Sequence, residues 1–316
     1  MTDDSAFNPE NPTRRGAMAC IGWIGTGMLW TMVAGVPRTL GGLGMIGDAN
    51  AAVTETFTFV QMSDNHIGFK AGPYQNVAGT LEAAIGQVKA LPRKPAFMLH
   101  TGDISHLAKP DEFDTADQIN ATAGLDIHHV PGEHDMLDPG KRLYRARYGK
   151  GTKGDGWYSF NDHGVHFIGL SNVTHSGADG QWLLGRDQIA WLADDLRAVS
   201  SSTPVVVFAH VPLWTVYAQW GWGTGDAQAA MPLFRRFGSV TFLNGHIHQI
   251  VQKVEGHIKF HTARSTAFPQ GVAGTAPHAG PVLTIAAGEI GEYLGITQVS
   301  VRETYGTLAL TDSTLA

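Results

Sequence analysis

The chain has 316 residues, of which 43% are hydrophobic and 16% charged. That balance excludes a disordered chain and is enough for one large domain or two small ones. The net charge of −6 excludes the basic footprint on which phosphate-driven nucleic-acid binding depends.

The first 51 residues differ from the rest. Arg14-Arg15 precedes an apolar stretch from about Gly16 to Val36, and Ala49-Asn50-Ala51 follows as an A-x-A triplet. A polar start, paired arginines, an apolar segment and small residues at the end match a twin-arginine export signal cleaved after Ala51. The expectation is therefore an export segment over 1–51 and one domain over 52–316, placed in the periplasm or secreted. Membrane contact is expected only through the signal during export. An uncleaved anchor is the alternative, since the stretch is about long enough to span a bilayer. Cys20 is the only cysteine. It lies inside the apolar stretch, with Ala17 where a lipid-attachment motif has Leu. Cleavage would leave no thiol for a disulfide.

Further on, strands and helices alternate. Thr56–Val60 alternates with β period and leads into Asp64-Asn65-His66. Residues 76–91 place Val77, Leu81, Ala84, Ile85, Val88 and Leu91 at helical spacing, and Pro92 closes the helix. Ala96–Leu99 is a strand before Gly102-Asp103, and 109–123 reads as a polar helix. Ile127–Val130 is a strand before Gly132-Glu133-His134-Asp135. Trp157–Leu170 predicts a hairpin turning at Asn161-Asp162-His163-Gly164. Residues 187–199 predict a helix with Ile189, Leu192, Leu196 and Val199 on one face. Val205–Phe208 is a buried strand before His210, 227–237 a short helix, and Val240–Leu243 a strand before Gly245-His246-Ile247-His248. From about 250 to 310 the pattern is mostly β, with loops around 269–281 and 287–292. Neither an internal repeat nor an internal linker is visible after residue 51.

Seven candidate metal ligands thus fall in five clusters, each behind an apolar run: Asp64, His66, Asp103, Glu133, His210, His246 and His248. They are carboxylates and imidazoles, hard and borderline donors that suit Mn, Fe or Zn. Strands that end in ligands predict a site at one edge of a sheet, where open α/β folds build theirs. Glycines at 102, 132 and 245 would let the backbone turn sharply toward it.

The five clusters, in this order, resemble the pattern D-x-H, G-D, G-N-H-[DE], H, G-H-x-H of the calcineurin-like metallophosphoesterases. Here they stand as DNH, GD, GEHD, H and GHIH, over essentially the whole chain after residue 51. The resemblance implies the metallo-dependent phosphatase fold, an α/β sandwich of two mixed β-sheets flanked by helices. It also implies a centre of two divalent or trivalent ions. Asp64, His66 and His248 would hold the first; His210, His246 and Glu133 the second; Asp103 would bridge them. It implies hydrolysis of a small-molecule phosphate ester, mono- or diester. A hydroxide between the metals would attack phosphorus in line, His134 would assist the leaving oxygen, and Asp135 would orient His134.

Glu133 departs from the pattern, which has Asn. Three readings follow: a true ligand favouring a more highly charged ion, a ligand at a shifted position, or a weakened second site. Ligation is the expectation, because carboxylate oxygen suits Fe and Mn. With two divalent ions and a hydroxide the site is then formally neutral, which tilts the expectation toward diesters. The competing classes are a non-hydrolytic metal- or phosphate-binding protein and an envelope protein that keeps the fold alone.

Four further residues are candidate substrate contacts. Asn65 lies between two ligands, with a turn cap as its plainer role. His106 follows Asp103 by three residues. Trp214 opens the aromatic segment 213–226, which also holds Tyr217, Trp220 and Trp222; a flap packed on the body is the alternative there. Arg264, after a late strand, has the donor fork for a phosphate oxygen, with an ordinary salt bridge as the alternative.

Overall fold

The computed structural model describes residues 30–33, 36–39, 55–178, 180–302 and 308–316. The chain divides into two compact units, Met1–Ala52 and Val53–Ala316. In the first, Trp30–Val33 pairs antiparallel with Val36–Thr39. Arg14-Arg15, Cys20 and the Ala49-Asn50-Ala51 triplet lie outside the described residues. Among those described, no helix is long and apolar enough to cross a membrane.

The second unit runs β1 (Glu55–Met62), α1 (Val77–Lys89), β2 (Phe97–His100), α2 (Pro110–Ala121), β3 (Asp126–His129), α3 (Arg142–Tyr148), β4 (Tyr158–Asp162) and β5 (Val165–Gly169). It continues with the short pair β6 (His175–Ser176) and β7 (Trp182–Leu183), then α4 (Arg186–Arg197), β8 (Val205–Ala209), α5 (Ala227–Ala230) and β9 (Val240–Asn244). The last strands are β10 (Gln252–Glu255), β11 (Ile258–Thr262), β12 (Gly295–Arg302) and β13 (Leu308–Thr314). One sheet has the order β13-β12-β1-β2-β3, the other β10-β11-β9-β8-β5-β4. Both are mixed. β1, β2 and β3 are parallel, as are β5, β8, β9 and β11, while the remaining pairings are antiparallel.

The period-two pattern of β1 explains how the sheets stack. Phe57 and Phe59 point into a core shared with Phe97, Leu99, Phe167, Val206, Phe208, Leu243 and Val299, drawn from both sheets. Val60 and Met62 point the other way, onto Leu81, Ile85, Val88 and Phe113 of α1 and α2. The outer face of the second sheet is covered by Leu192 and Leu196 of α4 and by Phe234 and Phe237. The result is the expected sandwich of two mixed sheets between helices.

The predicted elements sit close to their places. α1 is capped by Asn76, whose side chain accepts from the Gly79 N–H at 3.0 Å. The hairpin turns at His163-Gly164, both in the left-handed region (φ 45° and 77°), as a two-residue primed turn requires. Three features differ from expectation. α3 was not expected: only Tyr144 of its seven residues is buried, so no apolar stripe announces it. Residues 227–237 hold only a single α-turn followed by a 3-10 turn at Met231–Phe234. Between Thr262 and Gly295 the described chain has no strand, and a long connection crosses there instead.

Candidate metal centre

The five clusters follow the C-terminal ends of β1, β2, β3, β8 and β9, so the parallel pairing delivers them to one edge of the sandwich. Ladder-like bonds continue past the strands. Asp64 N–H donates to Gly102 O at 3.0 Å, His66 N–H to Asp103 O at 2.9 Å, and Gly245 N–H to His210 O at 2.9 Å. Asp64, His66, Asp103, His246 and His248 all adopt positive φ, between 42° and 70°. L-residues avoid this region, and such strain gathers at functional sites. Gly102 (φ +93°) gives the freedom to turn between β2 and Asp103.

Two groups of donors result. Asp64, His66 and His248 converge in one, and Glu133, His210 and His246 in the other. His248 Nε2 is 3.2 Å from Asp64 Oδ1 and 3.2 Å from His66 Nε2. Glu133 reaches His210 Nε2 at 2.8 Å and His246 Nδ1 at 3.0 Å with its two oxygens. Asp103 Oδ2 lies between the groups, 3.4 Å from His66 Nε2 and 3.4 Å from His210 Nε2. All of these are buried except Glu133, which is half-buried.

The residues fit a pair of cations. His210 Nδ1–H donates to Thr101 O and His248 Nδ1–H to Phe268 O, each at 2.6 Å. A neutral ring so tied presents a lone pair at Nε2, as backbone-anchored metal ligands do. Yet His66 Nε2 faces His248 Nε2, and His246 Nδ1 faces His210 Nε2 at 3.3 Å. Glu133 Oε2 is buried without hydrogen-bond geometry to any donor. Lone pairs and carboxylates set face to face need positive charge among them. The titration directions show the same demand for positive charge, which a proton on His210 or a cation in its place meets. Burial would lower His210, but Asp103 and Glu133 override it and hold the ring well above its ordinary value. Burial would raise Glu133, but His246 and His210 hold it well below the carboxylate range.

His134 lies at the rim, its N–H bound to Asp103 Oδ1 at 2.9 Å and its Nδ1–H to His106 O at 2.7 Å. Nε2 is thus left as the working atom. His106 stacks on His134, with centroids 4.8 Å apart, and its Nδ1 approaches His66 Nδ1 at 3.4 Å. Its loop is held by Glu112, which accepts from the N–H groups of His106, Leu107 and Lys109.

Four expectations change. Asp135 does not hydrogen-bond the His134 ring. Its carboxylate accepts from Ile104 N–H, Ser105 N–H, Ser105 Oγ–H and Gly132 N–H at 2.9–3.2 Å, so it binds the second cluster to the third. Burial and the Asp103 charge push its carboxyl up to about 7, against the pull of those N–H donors. Asn65 is fully buried and points away from the cluster. It donates to Thr266 Oγ1 at 2.7 Å and accepts from His100 Nε2–H. Burial brings His100 down to about 3, which matches a neutral ring whose Nδ1 accepts from Gly102 N–H. Arg264 donates to the carbonyls of Glu292 and Tyr293, and it does not line the cavity beside the cluster. Trp214 is core: it is buried and packs on Phe260 at 4.9 Å.

Beside the cluster opens a cavity of about 520 Å³, lined by His66, Asp103, Glu133, His134, His246 and His248. Phe69, Trp182, Trp220, Trp222, Phe268 and Gln270 also line it. Trp182 and Gln270 were not singled out in the sequence, because residues distant along the chain meet here and no local pattern marks them.

Residues 57–250 match the calcineurin-like phosphoesterase family model, and the chain belongs to that family. No curated protein sequence matches the chain. Among solved structures, a dimetal phosphatase from Danio rerio superposes with a TM-score of 0.62 at 16% identity, covering 83% of this chain and 98% of that one. A purple acid phosphatase from yellow lupin (Lupinus luteus) seeds gives 0.58 at 13% identity, covering 82% of this chain and 51% of that one. GAP50, described as the anchor in the inner membrane complex of Plasmodium, gives 0.53 at 12% identity, with 83% and 90% covered. At such identities these likenesses show the fold. Family membership supports a metal-dependent phosphoester hydrolase.

Proposed function

We propose that this chain is an exported hydrolase of phosphate esters that works with two metal ions. The observation that carries the reading is the convergence of Asp64, His66, Asp103, Glu133, His210, His246 and His248 from five separated clusters into two facing groups of donors. Asp64, His66 and His248 would hold one ion and Glu133, His210 and His246 the other, with Asp103 shared. When bound, the two ions supply charge to the phosphoryl oxygens and lower the pKa of an attacking water. The chain's own part is positional. Asp135 pins the turns that carry Asp103 and Glu133, and backbone carbonyls fix the imidazole tautomers. His134 keeps Nε2 free to deliver a proton to the departing oxygen.

Glu133 adds a third carboxylate to the donor set, which reduces attraction for a dianion and favours phosphodiesters. Replacement of His134 by Gln should lower kcat by about 10²–10⁴-fold, the range for general acid catalysis, with metal content unchanged. Full activity in His134→Gln would remove the acid role. A clear preference for 4-nitrophenyl phosphate over its bis-ester would remove the diester preference.

The export reading rests on Arg14-Arg15 and Ala49-Asn50-Ala51. Its test is the mature N-terminus, expected at Ala52, and cytoplasmic retention when both arginines become lysine. The Asn-to-Glu departure at 133 favours one second reading, a metal-loaded binding protein without turnover. It would bind phosphate and hydrolyse nothing in a broad ester panel.

A further inference from the structure

We infer that the cavity beside the metal cluster is built to seat a flat aromatic ring on the non-reacting side of the ester. This deepens the hydrolase reading and rests on it. The cavity volume of about 520 Å³ lies within the range of small-molecule sites. None of the described residues that line it is Lys or Arg, so the part of the substrate away from the metals is not met by a cation. It is met by indoles.

Trp220 stands edge-on to Trp222 at 5.0 Å and 86°, and Trp182 lines the same wall. Trp220 and Trp182 are half-buried, which leaves ring surface open for contact. The segments that carry them are fixed before any ligand arrives. Val216 N–H donates to Trp222 O at 2.7 Å, Gly225 N–H to Trp182 O at 2.7 Å, and Gly221 N–H to Ala218 O at 3.0 Å. A wall ordered in advance loses little entropy on binding.

The test compares 4-nitrophenyl phenyl phosphate with 4-nitrophenyl methyl phosphate, which share a leaving group and a charge. The phenyl diester should show kcat/KM at least about tenfold higher. Trp220→Ala should bring that ratio toward one, and Trp220→Phe should keep most of it. A second readout is calorimetric binding of monomethyl phenylphosphonate against monomethyl methylphosphonate, where tenfold tighter binding of the phenyl compound is expected. Equal binding of the two phosphonates, or a ratio unmoved by Trp220→Ala, overturns the ring subsite. Tenfold preferential binding with no turnover of either diester or of 4-nitrophenyl phosphate keeps the subsite and overturns the hydrolase reading.

Discussion

Gly102→Ala offers a sharp test of how the backbone sets the centre. A Cβ built on Gly102 would lie 2.6 Å from Gly132 N and 2.7 Å from His210 Nδ1, about 0.7–0.8 Å inside ordinary contact. Two of the atoms it meets are backbone, and the third belongs to a ring fixed by its bond to Thr101 O. The φ of +93° adds backbone strain of about 1–3 kcal/mol. Relief must push the turn that carries Glu133 away from His210. A catalytic constellation tolerates about 0.5 Å of displacement, and 1 Å costs about a hundredfold. Gly102→Ala should therefore lower kcat/KM by about 30–100-fold, deplete the metal bound with Glu133, and lower Tm by about 3–8 °C. Gly86→Ala is the matched control. Gly86 lies mid-helix in α1 and is exposed, and a Cβ there meets nothing within 4 Å. It should raise Tm by about 1–3 °C, since Ala is favoured over Gly in a helix by about 0.5–1 kcal/mol, with metal and activity unchanged. Metal content and steady-state kinetics on both variants decide the matter. Wild-type metal and rate in Gly102→Ala would refute the steric argument.

Other expectations follow from single residues. Glu133→Asn restores the family's residue and should retain two metals per chain, with activity changed by less than about tenfold; loss of metal by elemental analysis would contradict the placing of Glu133. Trp214→Ala opens a hole against Phe260 and should cost about 3–5 kcal/mol in urea unfolding, with KM nearly unmoved; a large KM change at constant stability would return Trp214 to the substrate. Burial would raise the Asp195 carboxyl, but bonds from His166 (2.8 Å) and Ser159 (2.6 Å) outweigh it and hold it below the usual range. Its stabilising contribution is then present above the unfolded value of about 3.9 and lost as pH falls through the lower folded value. Urea midpoints from pH 5 to 3 should fall more steeply for wild type than for Asp195→Asn, and parallel curves would refute the assignment.

The ligands were legible because each needs only its own cluster and a strand before it. A one-dimensional string carries both, and the parallel order of β1, β2, β3, β8 and β9 does the rest. The substrate contacts were less legible, because they depend on side-chain direction. Asn65 sits between two ligands, but the left-handed backbone at Asp64 and His66 aims it into the body, onto His100 and Thr266. Trp214 and Trp220 look alike in the sequence. Only the fold shows that the first rests on Phe260 of β11 while the second stands in the cavity wall. Arg264 faces the carbonyls that end a 3-10 turn, a partnership made with residues 28 and 29 positions away. Asp135 was recognised as a positioning carboxylate, but its partners are backbone N–H groups of two turns, which no motif spells out.

Metal content per chain, measured together with hydrolysis of bis(4-nitrophenyl) phosphate before and after chelation, tests the central claim most directly. The account predicts two Fe, Mn or Zn ions per chain, activity lost on chelation, and activity regained when metal is returned. One ion or none in protein matured by export, or turnover that survives removal of all metal, would contradict it.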